Sequence, residues 1–146
     1  MSRMTILPTE FLDKQKRFTG ANEGYREFPY PDNGNVSVGY GRNLSQRGIS
    51  PQEADILLQN DIEYFYLKLS YVVSFFDSLD DIRKMGLIDM CFNLGLHGFL
   101  TFENMLHSIA NGNMEGAANE VLNSKAAKQN PIRYQKIADI IRTGVL

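Results

Sequence analysis

Apolar residues recur along this chain with two different periods, and the change from one to the other marks a small extended segment set between helices. Near the start, Phe11, Leu12 and Phe18 fall on one side of a helix expected from about Pro8 to Thr19. It ends near Gly20 and leaves Glu23 just past its terminus. Val36, Val38 and Tyr40 then alternate with Ser37, Gly39 and Gly41, which is the period of a strand. Asn33-Gly34 before them is a two-residue turn signal, so a hairpin is predicted over Tyr30 to Tyr40.

Helical spacing returns at Ser50-Pro51-Gln52-Glu53, which offers an N-cap serine, a proline at the first helical position and a glutamate at the third. Ala54, Leu57, Leu58, Ile62, Phe65 and Leu69 carry that helix to about Ser70, long enough to bridge two lobes. From Asp80 to Leu94 the apolar residues Ile82, Met85, Leu87, Ile88, Met90, Cys91, Phe92 and Leu94 cover nearly all sides, as in a buried central helix that Gly95 stops. Three shorter helices are expected at about 102–110, 114–122 and 131–142, with Thr101, Asn113 and Asn130 as N-caps and Gly112 and Gly144 as stops. The fold class is therefore α+β and mostly helical, a small β-hairpin lobe joined by a long helix to a helical lobe.

Register sharpens the chemistry of the hairpin. A two-residue turn at Asn33-Gly34 or Gly34-Asn35 pairs Asp32 with Asn35 or Ser37, and either choice puts Asp32 and Ser37 on one face, roughly 5–8 Å apart at Cβ. That leaves space for one water between carboxylate and hydroxyl. Gly39 and Gly41 on the same face would let a sugar approach the backbone closely. With Glu23 nearby, two carboxylates and a hydroxyl fall within fifteen residues. Such a set suits glycosidic bond cleavage, where one carboxylic acid protonates the leaving oxygen and a second carboxylate activates water or attacks the sugar.

Composition narrows the field. The 146 residues fit a single domain spanning 1–146, with its small lobe at about 20–50, a linking helix at about 50–70, and a helical lobe at about 71–146 plus the N-terminal helix. Cys91 is the only cysteine, which excludes an intramolecular disulfide, and His97 and His107 have no cysteine partner for a zinc site; no metal or cofactor is expected. Residues 1–18 lack the apolar core of a signal peptide, and no run of about 18 apolar residues would cross a bilayer, so no stable membrane association is expected. Net charge is −2, yet Lys125, Lys128, Arg133, Lys136 and Arg142 against Asp139 give residues 123–146 a local excess of +4. A basic end on an acidic body could meet an anionic polymer; nothing beyond charge favours a nucleic acid.

Taken in order, Glu23-Gly24, Tyr30, Asp32, Ser37-Val38-Gly39-Tyr40-Gly41, Asp77-Ser78-Leu79-Asp80, Phe92-Asn93-Leu94-Gly95, Ser124-Lys125, Gln129-Asn130-Pro131-Ile132-Arg133 and Arg142-Thr143-Gly144 resemble the phage-type lysozymes of glycoside hydrolase family 24. The resemblance covers about Phe18 to Gly144. In the family eight residues intervene between the glutamate and the aspartate, an interval that Glu23 and Asp32 reproduce. Its threonine usually follows after five more residues; here four intervene and the residue is Ser37.

The resemblance implies an N-acetylmuramidase, an endolysin that hydrolyses the β-1,4 bond between N-acetylmuramic acid and N-acetylglucosamine in peptidoglycan during host lysis. Glu23 is then the general acid, Asp32 the second carboxylate and Ser37 the holder of the attacking water. Asn43, Phe92, Met105 and Glu120 fall at or near family substrate-contact positions; Phe92, Asn43 and Gln129 are taken as substrate-binding, and Arg133 as active-site support. It further implies a monomer held in the host cytoplasm until a separate holin-like pore admits it to the wall. The alternatives are a lytic transglycosylase of the same fold and a catalytically impaired wall-binding relative.

Overall fold

A computed structural model describes residues 7–146 and divides the chain into two compact units, one up to Gln59 and one from Asn60 to Leu146. In the first unit, helix α1 (Thr9–Glu23) runs farther than its apolar pattern. Gly20 is helical, a Cβ there would lie 3.7 Å from the Tyr40 ring, and the stop comes at Gly24, whose φ of 70° ends the turn while its N–H bonds to the Gly20 carbonyl. Glu23 is thus the last helical residue rather than one beyond the terminus.

Strands β1 (Arg26–Asp32), β2 (Asn35–Gly39) and β3 (Arg42–Asn43) form an antiparallel sheet in that order. Asn33 (φ 48°) and Gly34 (φ 83°) close the predicted hairpin with the two positive φ angles that a type I′ turn requires. Asp32 pairs with Asn35 and Tyr30 with Ser37. Between Arg26, opposite Gly39, and Tyr30, β1 carries two surplus residues, an irregularity placed where Pro29 has no N–H to give a ladder. The two-residue β3, too short to show a period, pairs Asn43 with Ser37 and Arg42 with Val38. Helix α2 (Leu44–Arg47) follows, capped by Asn43, whose Oδ1 accepts from the Gln46 N–H at 3.0 Å.

Helix α3 (Pro51–Val72) begins where expected and contains the boundary between the units. Its capping box is reciprocal: the Glu53 N–H donates to Ser50 Oγ at 3.1 Å and the Ser50 N–H donates to Glu53 Oε1 at 2.8 Å.

The second unit continues through a short 3₁₀ turn (Phe76–Ser78) into α4 (Asp81–Leu100), α5 (Glu103–Ala110), α6 (Met114–Leu122), α7 (Lys125–Gln129) and α8 (Pro131–Thr143). Its core joins Leu69, Phe76, Leu87, Met90, Phe99, Met105, Tyr134 and Ile141, all fully buried. Gly95 does end the first run of α4 (φ 73°, ψ 163°), after which the helix resumes to Leu100. Gly86 lets α4 and α8 approach, since a Cβ there would lie 3.2 Å from Ile140 Cγ2. Arg83 ties the ends of the same two helices: its Nε donates to the Ile141 carbonyl at 2.7 Å and its guanidinium also bonds the Arg142 carbonyl at 3.1 Å. It thereby satisfies acceptors that a helix end leaves open.

Caps decide the remaining elements. Asn113 accepts from the Gly116 N–H as expected, and Gly144 closes α8 in the left-handed conformation. Thr101 instead donates to the Gly98 carbonyl and leaves the N-cap of α5 to Phe102, while Asn130 occupies the α8 N-cap without a side-chain bond. Helix α7, absent from the apolar pattern, is capped by Ser124, whose Oγ accepts from the Ala127 N–H. Met85, expected in the core, is 45% exposed, and Lys84 is buried in its place, its Nζ over the Tyr66 and Phe76 rings and donating to Tyr66 Oη at 3.3 Å. Cys91 is a core residue whose thiol is pushed up to about 12 by burial.

Leu87→Ala is expected to cost about 2–5 kcal/mol in denaturant unfolding, whereas Ile132→Ala, at a side chain 74% exposed, should stay within about 0.5 kcal/mol.

Candidate active site

The sheet of the first unit brings three of the expected residues into one local arrangement. Ser37 sits in the middle strand with Tyr30 opposite on β1 and Asn43 opposite on β3, and this flanking leaves it fully buried. The face was expected to be bare apart from its glycines; Tyr30 and Asn43 fill it. Arg26 covers Tyr30 in turn, its guanidinium carbon 4.2 Å from the ring centroid. Because Asp32 opposes Asn35, two residues before Ser37, the carboxylate lies diagonally beside the hydroxyl. Ser37 Oγ is 3.5 Å from Asp32 Oδ2, at the long limit of a hydrogen bond. Ser37 is closed off from solvent while Asp32 is exposed, so the open side of this contact is the carboxylate.

Glu23 reaches the same sheet from the end of α1. A Cβ built on Gly41 would lie 2.6 Å from Glu23 Oε2 and 2.9 Å from its Cδ, so the carboxyl group lies against the Gly41 backbone. The bare face expected to receive a sugar at Gly41 is therefore occupied by the Glu23 side chain. Gly41 is also held at φ 75°, where a side chain would be strained as well as in the way. Gly39 (φ 67°) has nothing within 4 Å of its missing Cβ and keeps an open face.

A cluster that sequence patterns missed holds β3 in place. Arg42 NH1 donates to the Gly48 carbonyl at 2.9 Å and to Glu53 Oε1 at 2.9 Å, and NH2 donates to Glu53 Oε2. Arg42 thus bridges β3 to the capping box of α3. The Arg42 guanidinium and then the Ser50 N–H hold the Glu53 carboxyl at about 2, well below its ordinary value. The capping box was readable in the sequence; its partner, eleven residues earlier, was not. Asn43 has its amide oxygen committed to the α2 cap, and Ser45 Oγ accepts from the Val36 N–H at 2.9 Å, a second tie between α2 and the hairpin.

The other expected residues belong to the second unit. Phe92 is half-buried, its ring 5.2 Å from that of Phe65 and packed on the core. Arg133 pairs with Asp89 in a fork, Nε to Oδ2 at 2.8 Å and NH2 to Oδ1 at 3.0 Å, and bonds the Asp89 carbonyl at 3.2 Å. Gln129, Met105 and Glu120 line one groove of about 510 Å³ together with Asn104 and Lys125. Next to Phe92, Asn93 accepts from the buried Tyr134 hydroxyl at 2.6 Å.

The model of the phage lysozyme family matches residues 20–136, a span that holds the hairpin, Glu23, Asp32, Ser37 and Arg133. The chain belongs to that family. Two similar proteins of Dictyostelium discoideum are named probable T4-type lysozymes 1 and 2, at 31% and 29% identity over 101 residues. Those residues are 67% of this chain and 59% of each relative, so the chain spans less than two thirds of the length of the relatives it matches. Within the phage lysozyme family Ser37 stands where the resemblance places a threonine one residue later. The two-residue turn leaves Asp32 and Ser37 on one face.

The Glu53 carboxyl has an ordinary value of 4.5 and one of about 2 in the fold, so ionisation favours folding above about pH 4.5, and this contribution is lost as pH falls toward 2. Urea unfolding of wild type and Glu53→Gln from pH 7 to pH 2 should show a stability gap that is flat above about 4.5 and closes below it. A gap independent of pH would contradict the assignment.

Proposed function

We propose that this protein is a lysozyme, an N-acetylmuramidase that hydrolyses the β-1,4 bond between N-acetylmuramic acid and N-acetylglucosamine in peptidoglycan. The observation that carries the reading is the sheet itself. One small sheet places a buried hydroxyl 3.5 Å from the Asp32 carboxylate and lays Glu23 against its Gly41 turn. Membership of the phage lysozyme family and the printed names of the two relatives support the same reaction class.

In this mechanism Glu23 enters as the carboxylic acid and gives its proton to the glycosidic oxygen as the bond to the anomeric carbon breaks. The Asp32 carboxylate, at the polar tip of the hairpin, stabilises the positive charge growing on the sugar ring. A water on the open side of the Asp32 carboxylate, which Ser37 orients, attacks the anomeric carbon and passes its proton to Asp32; exchange with solvent then removes that proton and restores the one on Glu23. No step requires a metal or cofactor. The fixed place of Ser37 in the middle strand orients that water in advance, which is where positioned groups gain most over free solution. Phe92 and Gln129 offer an apolar ring and an amide suited to sugar and N-acetyl groups, and Asn43 adds the remaining half of its amide.

The same reading places the protein, as a monomer without a nucleic-acid partner, in the cytoplasm of a bacterial host, reaching the wall once a separate pore-forming protein opens the membrane. Its family supports that role in lysis.

Digestion of purified peptidoglycan, with glycan ends identified by mass spectrometry, tests the chemistry. Wild type is expected to release reducing N-acetylmuramic acid ends, Glu23→Gln to be slower by about 10²–10⁴, Asp32→Asn to be nearly inactive, and Ser37→Thr to keep substantial activity. Anhydro ends would make the enzyme a transglycosylase. Intact glycan would leave a wall-binding relative.

A further inference from the structure

The hairpin's third strand is only two residues long, yet each of its residues is tied to a proposed reacting group. Arg42 directly follows Gly41, the backbone surface against which the Glu23 carboxyl lies, and Asn43 is the ladder partner of Ser37. A strand this short has almost no ladder of its own to fix it. The restraint comes from a side chain: Arg42 forks onto Glu53 and also closes the 42–48 loop through the Gly48 carbonyl. Glu53 is itself fixed by the Ser50 N–H in the first turn of α3, so the fork is anchored to a helix terminus rather than to a mobile side chain.

We propose that Arg42 and Glu53 are positioning residues for the reaction, a clamp that sets where Gly41 presents Glu23 and where Ser37 faces Asp32. The proposal rests on the reading of Glu23 and Asp32 as the reacting carboxylates. Neither Arg42 nor Glu53 touches substrate in it; they act through Gly41 and Asn43. Arginine is the suited residue because its planar fork fixes an orientation as well as a distance, which a lysine ammonium cannot do. The pair is only partly buried, Arg42 26% and Glu53 39% exposed at the side chain, so its contribution to global stability is small. A displacement of about 1 Å in an acid catalyst, by contrast, costs up to about 10²-fold in rate. The clamp should therefore show in kcat far more than in folding.

The test measures kcat and KM on soluble uncrosslinked glycan strands, together with thermal unfolding, for wild type, Arg42→Ala, Arg42→Lys, Glu53→Gln and the double variant Arg42→Ala/Glu53→Gln. Arg42→Ala is expected to lower kcat by about 10–100-fold while KM stays within about threefold. Arg42→Lys should recover part of that loss, and the double variant should be no slower than Arg42→Ala because both changes remove one shared interaction. A folded Arg42→Ala with kcat within about twofold of wild type would overturn the clamp, as would losses that simply add in the double variant. If Arg42→Ala does not fold, Glu53→Gln decides by the same kcat criterion, since its amide oxygen can still accept from the Ser50 N–H. Wild type without reducing ends, or a fully active Glu23→Gln, overturns the assignment of the carboxylates and the clamp with it. A silent Arg42→Ala beside an inactive Glu23→Gln overturns the clamp alone.

Discussion

One carboxylate, that of Glu53, fixes how the sheet of the first unit meets the start of α3. It accepts a fork from Arg42 on the sheet and an N–H from Ser50 at the start of α3, and through Arg42 it fixes the Gly48 carbonyl that closes the intervening loop. Among the described residues up to Gln59, Ser37 alone is fully buried. A unit with so little interior cannot rely on apolar burial, whose contribution grows with the area removed from water. Its shape follows from directional contacts: the type I′ turn, the ladder of three short strands, two ties from α2 and this ionic fork.

The second unit follows different physics. Its helices meet along side chains that are almost completely excluded from water, and its polar contacts serve chiefly to satisfy what that packing buries. Tyr134 enters the core only because Asn93 receives its hydroxyl, and the ends of α4 and α8 are joined by Arg83 instead of being left to solvent. No buried side-chain nitrogen or oxygen among the described residues is left without a partner. The proposed chemistry thus rests mainly on the part of the chain that is defined by directional contacts rather than by packing.

How much of this was legible in the sequence depended on range. Asp32 and Ser37 could be related because a two-residue turn fixes strand parity over a few residues, and that parity is what the sheet shows; Glu23, on α1, was tied to them only by nearness in sequence. The long helices carried their own period and caps, so α3, α8 and the first run of α4 were readable to within a few residues, while the part of α4 beyond Gly95 was not expected. The short elements were not: β3, α2 and α7 hold two, four and five residues, too few for a period to be seen repeating. The end of α1 was misplaced because Gly20 looked like a stop. A glycine ends a helix only where its φ turns positive, which happens at Gly24. Pairings across distance, Arg42 with Glu53 or Arg133 with Asp89, leave no trace in composition or spacing, since opposite charges are common and sequence does not say which of them meet.

The lone cysteine has a practical consequence. Cys91 is 1% exposed, and its thiol holds its proton to about 12, so at neutral pH hardly any reactive thiolate exists and reagents cannot reach it. The natural chain is accordingly a silent background for thiol chemistry. A cysteine introduced at any open surface position would take a fluorescent or spin label by itself, with no need to replace Cys91 and disturb the core around it. Pairs of such labels, one in each unit, would make the distance between the two halves directly measurable in solution.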